Sequence, residues 1–471
     1  MSSLLPADSL LREICLVLAA REEPVYLVGG YVRDWLLGQA SHDLDLAVEG
    51  PAIPLARHIA DAFHGAFVLL DQEHDTGRAV LRRRGRSYSI DLARTRGAGI
   101  LEDLAARDFT VNAMAVNVQD LASPRPTVLD PTGGQSDLRA RRIRATSAQT
   151  FRDDPLRLLR AVRQAATLGF AIAAETEALI RRDAPLVARP SAERVRDELV
   201  QIVGSPAPDR QVRELDRLGL LAPTLPEVAA LKEKLLPQGT SAYEHTVSTL
   251  GHLGAILAYL AGRDQAAPDA EVAPAFAAHR DALQAHLAAV LSDTRTRALT
   301  LHFAALLQHL DDQAADTLRR LRLSNAEINL AQQIVGGRRL PAALATGQPA
   351  ARRGLYRFFR QLGEAGIEVL LLALAAELAD PRRDQAAWAG LCAAAQQLLD
   401  YYAQCWPRIR AMPPLVNGAE LMRALKLKAG PAVGELLEVI REAQAIGEIG
   451  SAAEALQLAQ AHICPNDTAK V

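Results

Sequence analysis

The segment from Tyr26 to Gly50 constrains the fold of this chain more than any other part of the sequence. It opens inside an apolar run, Val25–Val28, which predicts a buried strand. The pair Gly29-Gly30 then predicts a tight turn whose amides can approach a ligand closely. Residues 32–37 have helical spacing, and residues 42–46 alternate strictly between polar and apolar, as a half-buried strand does. The segment therefore predicts a strand, a turn, a helix and a second strand in close succession.

Two acidic residues of the second strand point to chemistry. Asp43 and Asp45 are two positions apart, so they share one face of the strand while Leu44 and Leu46 face a core. Carboxylates placed like this beside a glycine turn can hold divalent metal ions against a triphosphate. A solvated strand edge would have the same spacing, but the upstream GGxVRD residues favour a nucleotidyl-transfer site.

Extension of a nucleic acid requires a 3′ hydroxyl to attack an α-phosphate in line while pyrophosphate leaves. We predict two Mg²⁺ ions for this step, held by Asp43 and Asp45. A third catalytic acid should face them from a neighbouring strand, and Asp91 is the candidate because it faces opposite to Ile90 and Leu92.

A triphosphate needs amides and a guanidinium at the glycine turn. Backbone N–H groups and a planar arginine fork both suit phosphate oxygens. We therefore expect Gly29, Gly30 and Arg33 to hold the triphosphate.

The motif LVGGYVRDWLLG followed by DLDLAVEG resembles the catalytic unit of the polymerase-β superfamily. More narrowly, it is similar to the class II tRNA nucleotidyltransferase and bacterial poly(A) polymerase family. Four further blocks follow in the order of that family, and they are Ala106–Asn117, Asp130–Ala145, Phe151–Phe170 and Ser191–Val203. The resemblance spans the first 205 or so residues.

The predicted fold class is α+β. Short β-type runs alternate with helices up to about residue 144, which indicates a small mixed sheet, and almost every later segment has helical periodicity. The resemblance implies a nucleotidyltransferase head at 1–147, a helical neck at 148–220 that recognises the base, a helical body at 221–345 and a helical tail at 346–471 that binds tRNA. In the family these parts have a seahorse-like outline.

The resemblance also implies which residues surround the sugar and the base. Arg107, Asp108 and Asn112 are assigned to the ribose, where a hydrogen bond to the 2′ hydroxyl would select NTP over dNTP. The family usually has two arginines here, and Ala106 replaces the first. Arg160 and Arg163, farther along the chain, reach phosphates or brace the neck.

Base choice is predicted for Asp154 and Arg157. Pro155 is expected to be the first helical residue, which would place Asp154 and Arg157 side by side on one face. Cytosine and adenine both present an exocyclic amine beside a ring-nitrogen acceptor, so a carboxylate and an arginine fit both. Uracil and guanine reverse this pattern and are rejected. A helix cap with an ion pair is the alternative role, and it is compatible with the first.

Two departures from the family bear on function. The segment between Asp91 and Arg107 is shorter than in many CCA-adding relatives, which resembles the CC-adding branch. The body resembles a phosphohydrolase module at His245, but the chain has no His-Asp dipeptide where that module needs one. We therefore expect a degenerate body without hydrolase activity, and a core or capping role for His245.

RNA contacts should depend on local basic patches, because the net charge is −2. Arg139 and Arg142 are the predicted RNA-binding residues, and a second arginine cluster lies at 352–360. The sequence contains neither a signal peptide nor an apolar run of the roughly 18 residues that span a membrane, which predicts a cytoplasmic protein without a membrane partner. It does not specify an oligomeric state.

The function predicted from these observations is addition of C and A residues, or of C residues alone, to the tRNA 3′ end from CTP and ATP without a template. A poly(A) polymerase acting on RNA 3′ ends is the alternative within enzymes. A catalytically inactive RNA-binding protein is the alternative of another class, and the intact acidic pair and GGxVRD motif argue against it.

Overall fold

The computed structural model describes residues 9–39, 44–123, 126–263, 269–345 and 352–463. The chain forms two compact units. One comprises the residues up to 202 together with 214–224, and the other comprises 203–213 together with the residues from 225 onward. The first unit contains a six-stranded sheet and the second is almost entirely helical, so the predicted α+β class is confirmed. The finer division at residues 147, 220 and 345 stays a prediction.

Strands and helices alternate through the first part of the first unit. These elements are α1 (Ser9–Ala19), β1 (Val25–Val28), α2 (Gly30–Leu36), β2 (Leu44–Val48), α3 (Ala52–Ala62), β3 (Ala66–Asp71), β4 (Thr76–Arg83), β5 (Arg86–Arg94), α4 (Ile100–Ala105), β6 (Ala115–Asn117), α5 (Gly134–Arg139) and β7 (Arg142–Ile143).

The six-stranded sheet has the order β3-β4-β5-β2-β1-β6. Strands β2 and β5 are parallel, and all other neighbours are antiparallel, so the sheet is mixed as predicted. Helix α3 packs on β3, β4 and β5. A β-carbon added to Gly77 would lie 3.0 Å from the Ala56 Cβ of α3, so this face of β4 is closely covered. The residues directly before and after Gly77 therefore face the opposite side of the sheet.

The hairpin between β4 and β5 turns at Arg84-Gly85. Both residues have positive φ, 51° and 78°, as a two-residue hairpin turn of the primed type requires.

Helices complete the first unit. They are α6 (Thr150–Asp153), α7 (Arg157–Leu168), α8 (Ala174–Asp183), α9 (Ala192–Val203), α10 (Pro208–Arg217), which both units share, and α11 (Leu221–Thr224). The short strand β8 (Ala171–Ile172) pairs in parallel with β7.

The second unit is helical apart from one small hairpin. Its elements are α12 (Pro226–Ala230), α13 (Ala242–Leu260), α14 (Ala273–Ala288), β9 (Val290–Ser292), β10 (Arg295–Thr296), α15 (Arg297–Leu306), α16 (Gln313–Arg320), α17 (Asn325–Gly337), α18 (Leu340–Ala345), α19 (Arg352–Leu362), α20 (Gly366–Leu378), α21 (Gln385–Gln404), α22 (Trp406–Ala411), α23 (Gly418–Leu425), α24 (Pro431–Ile446) and α25 (Ala452–Ile463). Large buried side chains such as Trp388, Tyr356 and Phe359 fill its core. Over the ranges that the structure describes, no helix is both long enough and apolar enough to cross a membrane.

Candidate active site

Three charged residues occupy adjacent positions on neighbouring strands, on the sheet face opposite α3. Asp45 of β2 is paired with Asp91 of β5, and Asp91 is paired with Arg78 of β4. Leu44 and Leu46 on either side of Asp45 are buried, so the alternation predicted for this strand is present. The sheet therefore brings together two of the predicted catalytic acids.

The third predicted acid, Asp43, lies outside the described residues, and its role stays a prediction. Within the described part of the chain, no cluster of three or more histidine, cysteine, aspartate or glutamate side chains is arranged to hold a metal ion. Asp45 and Asp91 are the two predicted catalytic acids within the described residues.

Gly29 forms the floor of the turn before α2. Its φ is 67°, a left-handed conformation that favours glycine. A β-carbon built on Gly29 would lie 3.2 Å from Nη1 of Arg107 and 3.3 Å from Oδ2 of Asp45. A side chain here would fill the space in front of a carboxylate and a guanidinium. At Gly30, the same construction meets Nη2 of Arg33 at 3.5 Å. The glycine pair thus lines a small volume bordered by one acid and two arginines.

Arg33 is held in place by neighbours rather than left mobile. Its Nε donates to Oδ1 of Asp34 at 2.8 Å, and its Nη1 donates to Oδ1 of Asn112 at 2.8 Å. The amide of Asn112 in turn donates to Oδ1 of Asp108 at 3.1 Å and to Oε1 of Gln164 at 2.9 Å. The network links the glycine turn to the residues that the resemblance assigns to the ribose.

The side chains of Arg107 and Asp108 form two different ion pairs. Nε of Arg107 donates to Oδ2 of the buried Asp103 at 3.0 Å, which fixes the guanidinium near Gly29. Asp108 is also buried, and its Oδ2 lies 3.0 Å from Nε of Arg160. Arg160 therefore supports the predicted ribose-contacting carboxylate, and its side chain is 44% exposed, so it is accessible to a ligand as well.

The predicted base-reading pair has a different arrangement from the one expected. Oδ2 of Asp154 lies 2.9 Å from Nη2 of Arg194 on α9. Nη2 of Arg157 donates to the carbonyl of Ala106 at 3.0 Å, and its Nη1 lies 3.4 Å from the carbonyl of Arg107. Burial lowers the pKa of the Arg157 guanidinium, while the carboxylates of Asp108 and Asp154 act in the opposite direction.

Helix α7 also begins later than the sequence predicts. Pro155 is not the first helical residue, because α7 begins at Arg157 with Leu156 as its N-cap. Asp154 is extended, and its Oδ1 accepts a hydrogen bond from the amide of Leu156 at 3.2 Å. The amides of Arg157, Leu158 and Leu159 donate to carbonyls three residues earlier, so the chain first makes tight turns and the α-helix begins two residues after Pro155.

The remaining predicted arginines have unequal surroundings. Nε of Arg163 donates to Glu198 of α9 at 2.6 Å, which braces two helices. Arg142 lies 3.2 Å from the fully buried carboxylate of Asp137, which also accepts from Arg144 and from the Thr110 hydroxyl. Arg139, the last residue of α5, is exposed. It is the predicted RNA-binding residue whose surroundings suit that role best.

His245, the residue at which the sequence resembles a phosphohydrolase module, contacts a second histidine, His309. Nδ1 of the buried His245 lies 3.0 Å from Nε2 of His309. Burial and the neighbouring histidine lower the pKa of His309 to about 4, and burial lowers that of His245. Asp311, two residues after His309, pairs with Arg338. The pair is thus neutral and packed near physiological pH.

The arginine cluster at 352–360 is paired with acids. Arg357 forms a bidentate ion pair with Glu442 at 2.7 and 2.9 Å, and Arg360 forms one with Glu438 at 2.7 and 2.8 Å. These pairs join α19 to α24. Three of its four arginines, Arg353, Arg357 and Arg360, therefore contribute to an interhelical contact with glutamates of α24.

Several residues of the site were not identified from the sequence. Asp103 could have been found, because it lies on α4 four residues before Arg107, which follows the end of that helix. Arg78, Gln164 and Arg194 give no local signal, since their partners are distant in the sequence and meet only in the folded unit.

Three family models match the chain. They describe a poly A polymerase head domain at residues 25–144, a probable RNA and SrmB-binding site of polymerase A at 169–232, and a putative tRNA nucleotidyltransferase domain 2 at 293–459.

Curated relatives are similar over nearly the whole chain. The CC-adding tRNA nucleotidyltransferase of Geobacter sulfurreducens is 35% identical over 433 residues, which cover 91% of this chain and 90% of the relative. The A-adding tRNA nucleotidyltransferase of Deinococcus radiodurans is 33% identical and covers 92% and 94%.

Solved structures share the fold. The Thermotoga maritima CCA-adding enzyme complexed with tRNA has a TM-score of 0.64 at 22% identity and covers 98% of each chain. A CCA-adding enzyme with CTP has a TM-score of 0.66 at 21% identity and covers 97% and 96%.

Proposed function

This chain belongs to the class II tRNA nucleotidyltransferase family, and we propose that it is a CC-adding member. It would add two cytidines to the 3′ end of tRNA from CTP and stop before the terminal adenosine. Addition of nucleotides to the tRNA 3′ end is supported by relatives that span more than nine-tenths of this chain. The restriction to CC is the finer proposal, and one observation carries it.

That observation is the connection between β5 and α4. It contains five residues, 95–99, and its backbone is tied down on both sides. The amide of Thr95 donates to the carbonyl of Val48 at 3.0 Å, that of Ala98 to Glu102 at 3.0 Å, and that of Ile100 to Glu49 at 3.1 Å. Because this segment is short and its amides are hydrogen-bonded, it cannot change its conformation to fit the site to a different third base.

For the chemical step, we propose that the Gly29-Gly30 amides, Arg33 and Arg107 hold the triphosphate. Asp43, Asp45 and Asp91 would hold divalent cations, with Mg²⁺ as the expected ion, and the space kept open by Gly29 in front of Asp45 suits a cation with its phosphate ligand. A bound cation supplies charge neutralisation at the α-phosphate and the leaving pyrophosphate. Asp45 and Asp91 orient the attacking hydroxyl toward phosphorus.

For nucleotide choice, we propose that Asp108 and Asn112 contact the ribose and that Asp154 and Arg157 read the base edge. Asp154 would accept from the exocyclic amine of cytosine, and Arg157 would donate to the ring nitrogen and carbonyl edge. Arg194 holds the Asp154 carboxylate in the absence of a nucleotide, so it must share or release that carboxylate when CTP binds.

The predicted cytoplasmic location remains a prediction.

The test uses purified protein and tRNA transcripts that end at the discriminator base, at C or at CC, each incubated with labelled CTP or ATP. We expect two cytidines on the first transcript, one on the second and no adenosine on the third. Adenosine on the CC transcript would contradict a CC-only enzyme, and long adenosine tails would indicate a poly(A) polymerase. The Asp45→Asn variant serves as the negative control and should add nothing.

A further inference from the structure

We propose that Arg78 is a positioning residue that fixes the Asp91 carboxylate and lowers the negative charge of the cation site. The proposal rests on the function proposed above, and it concerns a residue outside the sequence motifs described above. It predicts that loss of Arg78 slows nucleotide transfer but raises the affinity of the site for a divalent cation.

The geometry is that of a bidentate ion pair. Nε of Arg78 donates to Oδ1 of Asp91 at 2.6 Å, and Nη2 donates to Oδ2 at 2.7 Å. The two residues are direct cross-strand partners in the antiparallel pairing of β4 with β5. Two parallel hydrogen bonds from a planar guanidinium fix both the position and the plane of a carboxylate. Asp91 is therefore presented beside Asp45 in one orientation.

The pair leaves Asp91 with capacity for a second partner. An ionised carboxylate has about four acceptor sites on its two oxygens, and the arginine fork uses one on each oxygen. The remaining acceptor sites can meet a cation or the attacking hydroxyl. A lysine would supply the charge of Arg78 but could not hold both oxygens, because its ammonium is a point donor.

The charge of Arg78 has a separate effect. Asp45 and Asp91 lie on adjacent strands and both attract a divalent cation, whereas the Arg78 guanidinium beside them opposes it. Removal of that positive charge should tighten cation binding even as it frees the Asp91 side chain. Loss of an ion pair that only stabilises the fold would not slow nucleotide transfer and tighten cation binding at the same time.

The chain supplies a matched control on the same strand. Arg82 lies four residues after Arg78, so it is on the same face of β4, and it is exposed opposite Ser87. The Arg82→Met variant removes an equal charge from the same strand at a greater distance from Asp45 and Asp91.

The experiment compares the wild type with Arg78→Met, Arg78→Lys, Arg82→Met and Asp91→Asn, and Arg78→Met with Asp91→Asn combined. Single-turnover CMP addition to tRNA gives the maximum rate and the CTP dependence. Titration of the free protein with Mn²⁺, followed by electron paramagnetic resonance, gives cation affinity without tRNA or turnover.

We expect Arg78→Met to reduce the maximum rate about 10- to 100-fold, with little change in half-saturating CTP, and to tighten Mn²⁺ binding about 3- to 10-fold. Arg78→Lys should slow the reaction but keep the wild-type Mn²⁺ affinity, and Arg82→Met should change neither. In the Asp91→Asn background, Arg78→Met should cause no further loss of rate. Full rate in Arg78→Met, additive losses in the double variant, or unchanged Mn²⁺ affinity would each overturn the proposal.

The Mn²⁺ titration keeps the two proposals apart. A wild type that adds no CMP to tRNA would contradict the proposed function, while the Mn²⁺ affinities of Arg78→Met and Arg78→Lys would still decide the role of the Arg78 charge. If Arg78→Met does not fold, as judged by circular dichroism, the Arg78→Lys variant decides the positioning role through its rate.

Discussion

At the residue scale, the two residues proposed to read the base, Asp154 and Arg157, are each bonded to a partner other than the expected one. The sequence pairs Asp154 with Arg157, but the Asp154 carboxylate is bonded to Arg194 and the Arg157 guanidinium to backbone carbonyls. Neither group is therefore unpaired when no nucleotide is present. If Asp154 and Arg157 read the base as proposed, a correct base replaces these partners with equally good ones, whereas an incorrect base leaves both groups without a partner.

Base choice should depend on both residues. Asp154→Ala and Arg157→Ala are each expected to relax discrimination against UTP and GTP, by about 1–3 kcal/mol per lost contact. The measurement is single-turnover incorporation of each NTP on tRNA that ends in C. Arg194→Ala is the matched variant, because it frees Asp154 without removing it, and it should alter selectivity less than Asp154→Ala. Uniform slowing with unchanged ratios would mean that Asp154 and Arg157 serve only as a turn and a brace.

The two predicted RNA-binding arginines should behave differently. Arg139→Glu removes an exposed charge and is expected to weaken tRNA binding without affecting the choice of nucleotide. Arg142→Glu places a second acid beside the buried Asp137, so it should lower the Tm, by about 2–4 °C or more. Thermal melts and tRNA titrations of both variants separate the two roles. Equal loss of tRNA affinity with equal Tm would show that both residues lie on the RNA surface.

At the element scale, much of the fold follows from patterns that act over a few residues. The sequence pattern predicts strands β1, β2 and β5, because each either alternates between polar and apolar residues or is uniformly apolar. The turn at Arg84-Gly85 was predictable because glycine tolerates a positive φ. The start of α7 was not, since residues 154–159 first form tight turns in which amides bond to carbonyls three residues earlier. The contact between Asp154 and Arg194 spans 40 residues, and no local pattern encodes it.

Helix α7 carries Arg157, which is proposed to read the base, and Arg163, which pairs with a neighbouring helix. Arg163 donates to Glu198 at 2.6 Å, and the Glu198 side chain is only 12% exposed. Arg163→Met leaves that carboxylate unpaired, so it should lower the Tm, while Arg163→Met with Glu198→Met should recover part of the loss. Neither variant should change the ratio of CTP to UTP incorporation, in contrast to Arg157→Ala. A changed ratio would assign Arg163 to nucleotide recognition.

At the scale of the whole molecule, stability should depend on pH through buried histidines of the second unit. Burial lowers the pKa of both His302 and His309 to about 4 in the folded chain, from an ordinary value of 6.5. Between these two values the unfolded chain binds more protons than the folded one. Unfolding is therefore favoured progressively as the pH falls through this window, and full stability is present above it.

His309→Gln should make the second unit less sensitive to acid. Between pH 7 and pH 5, its Tm should fall by about 1–4 °C less than that of the wild type. His462→Gln replaces an exposed histidine of the same unit and should follow the wild type. The measurement is differential scanning calorimetry at a series of pH values, and parallel curves for the wild type and His309→Gln would contradict the assignment.

The charge distribution of the whole chain limits how it can bind RNA. The net charge is −2, and arginines that look like a basic surface in the sequence are neutralised by glutamates between α19 and α24. Arginines that already pair with glutamates are less available to RNA phosphates than exposed cations such as Arg139. The affinity of this chain for tRNA should therefore come from a limited number of phosphate contacts together with recognition of the 3′ end.

The salt dependence of tRNA binding measures that number. We expect the logarithm of the affinity to fall with the logarithm of salt concentration on a slope that corresponds to fewer than about ten phosphates. Arg139→Gln should reduce the slope by about 0.7–0.9, because it removes one exposed cation. Arg357→Gln should leave the slope unchanged, since Glu442 already neutralises Arg357. A steeper slope, or a loss of slope in Arg357→Gln, would mean that RNA displaces the glutamates of α24 and uses the arginines of α19 directly.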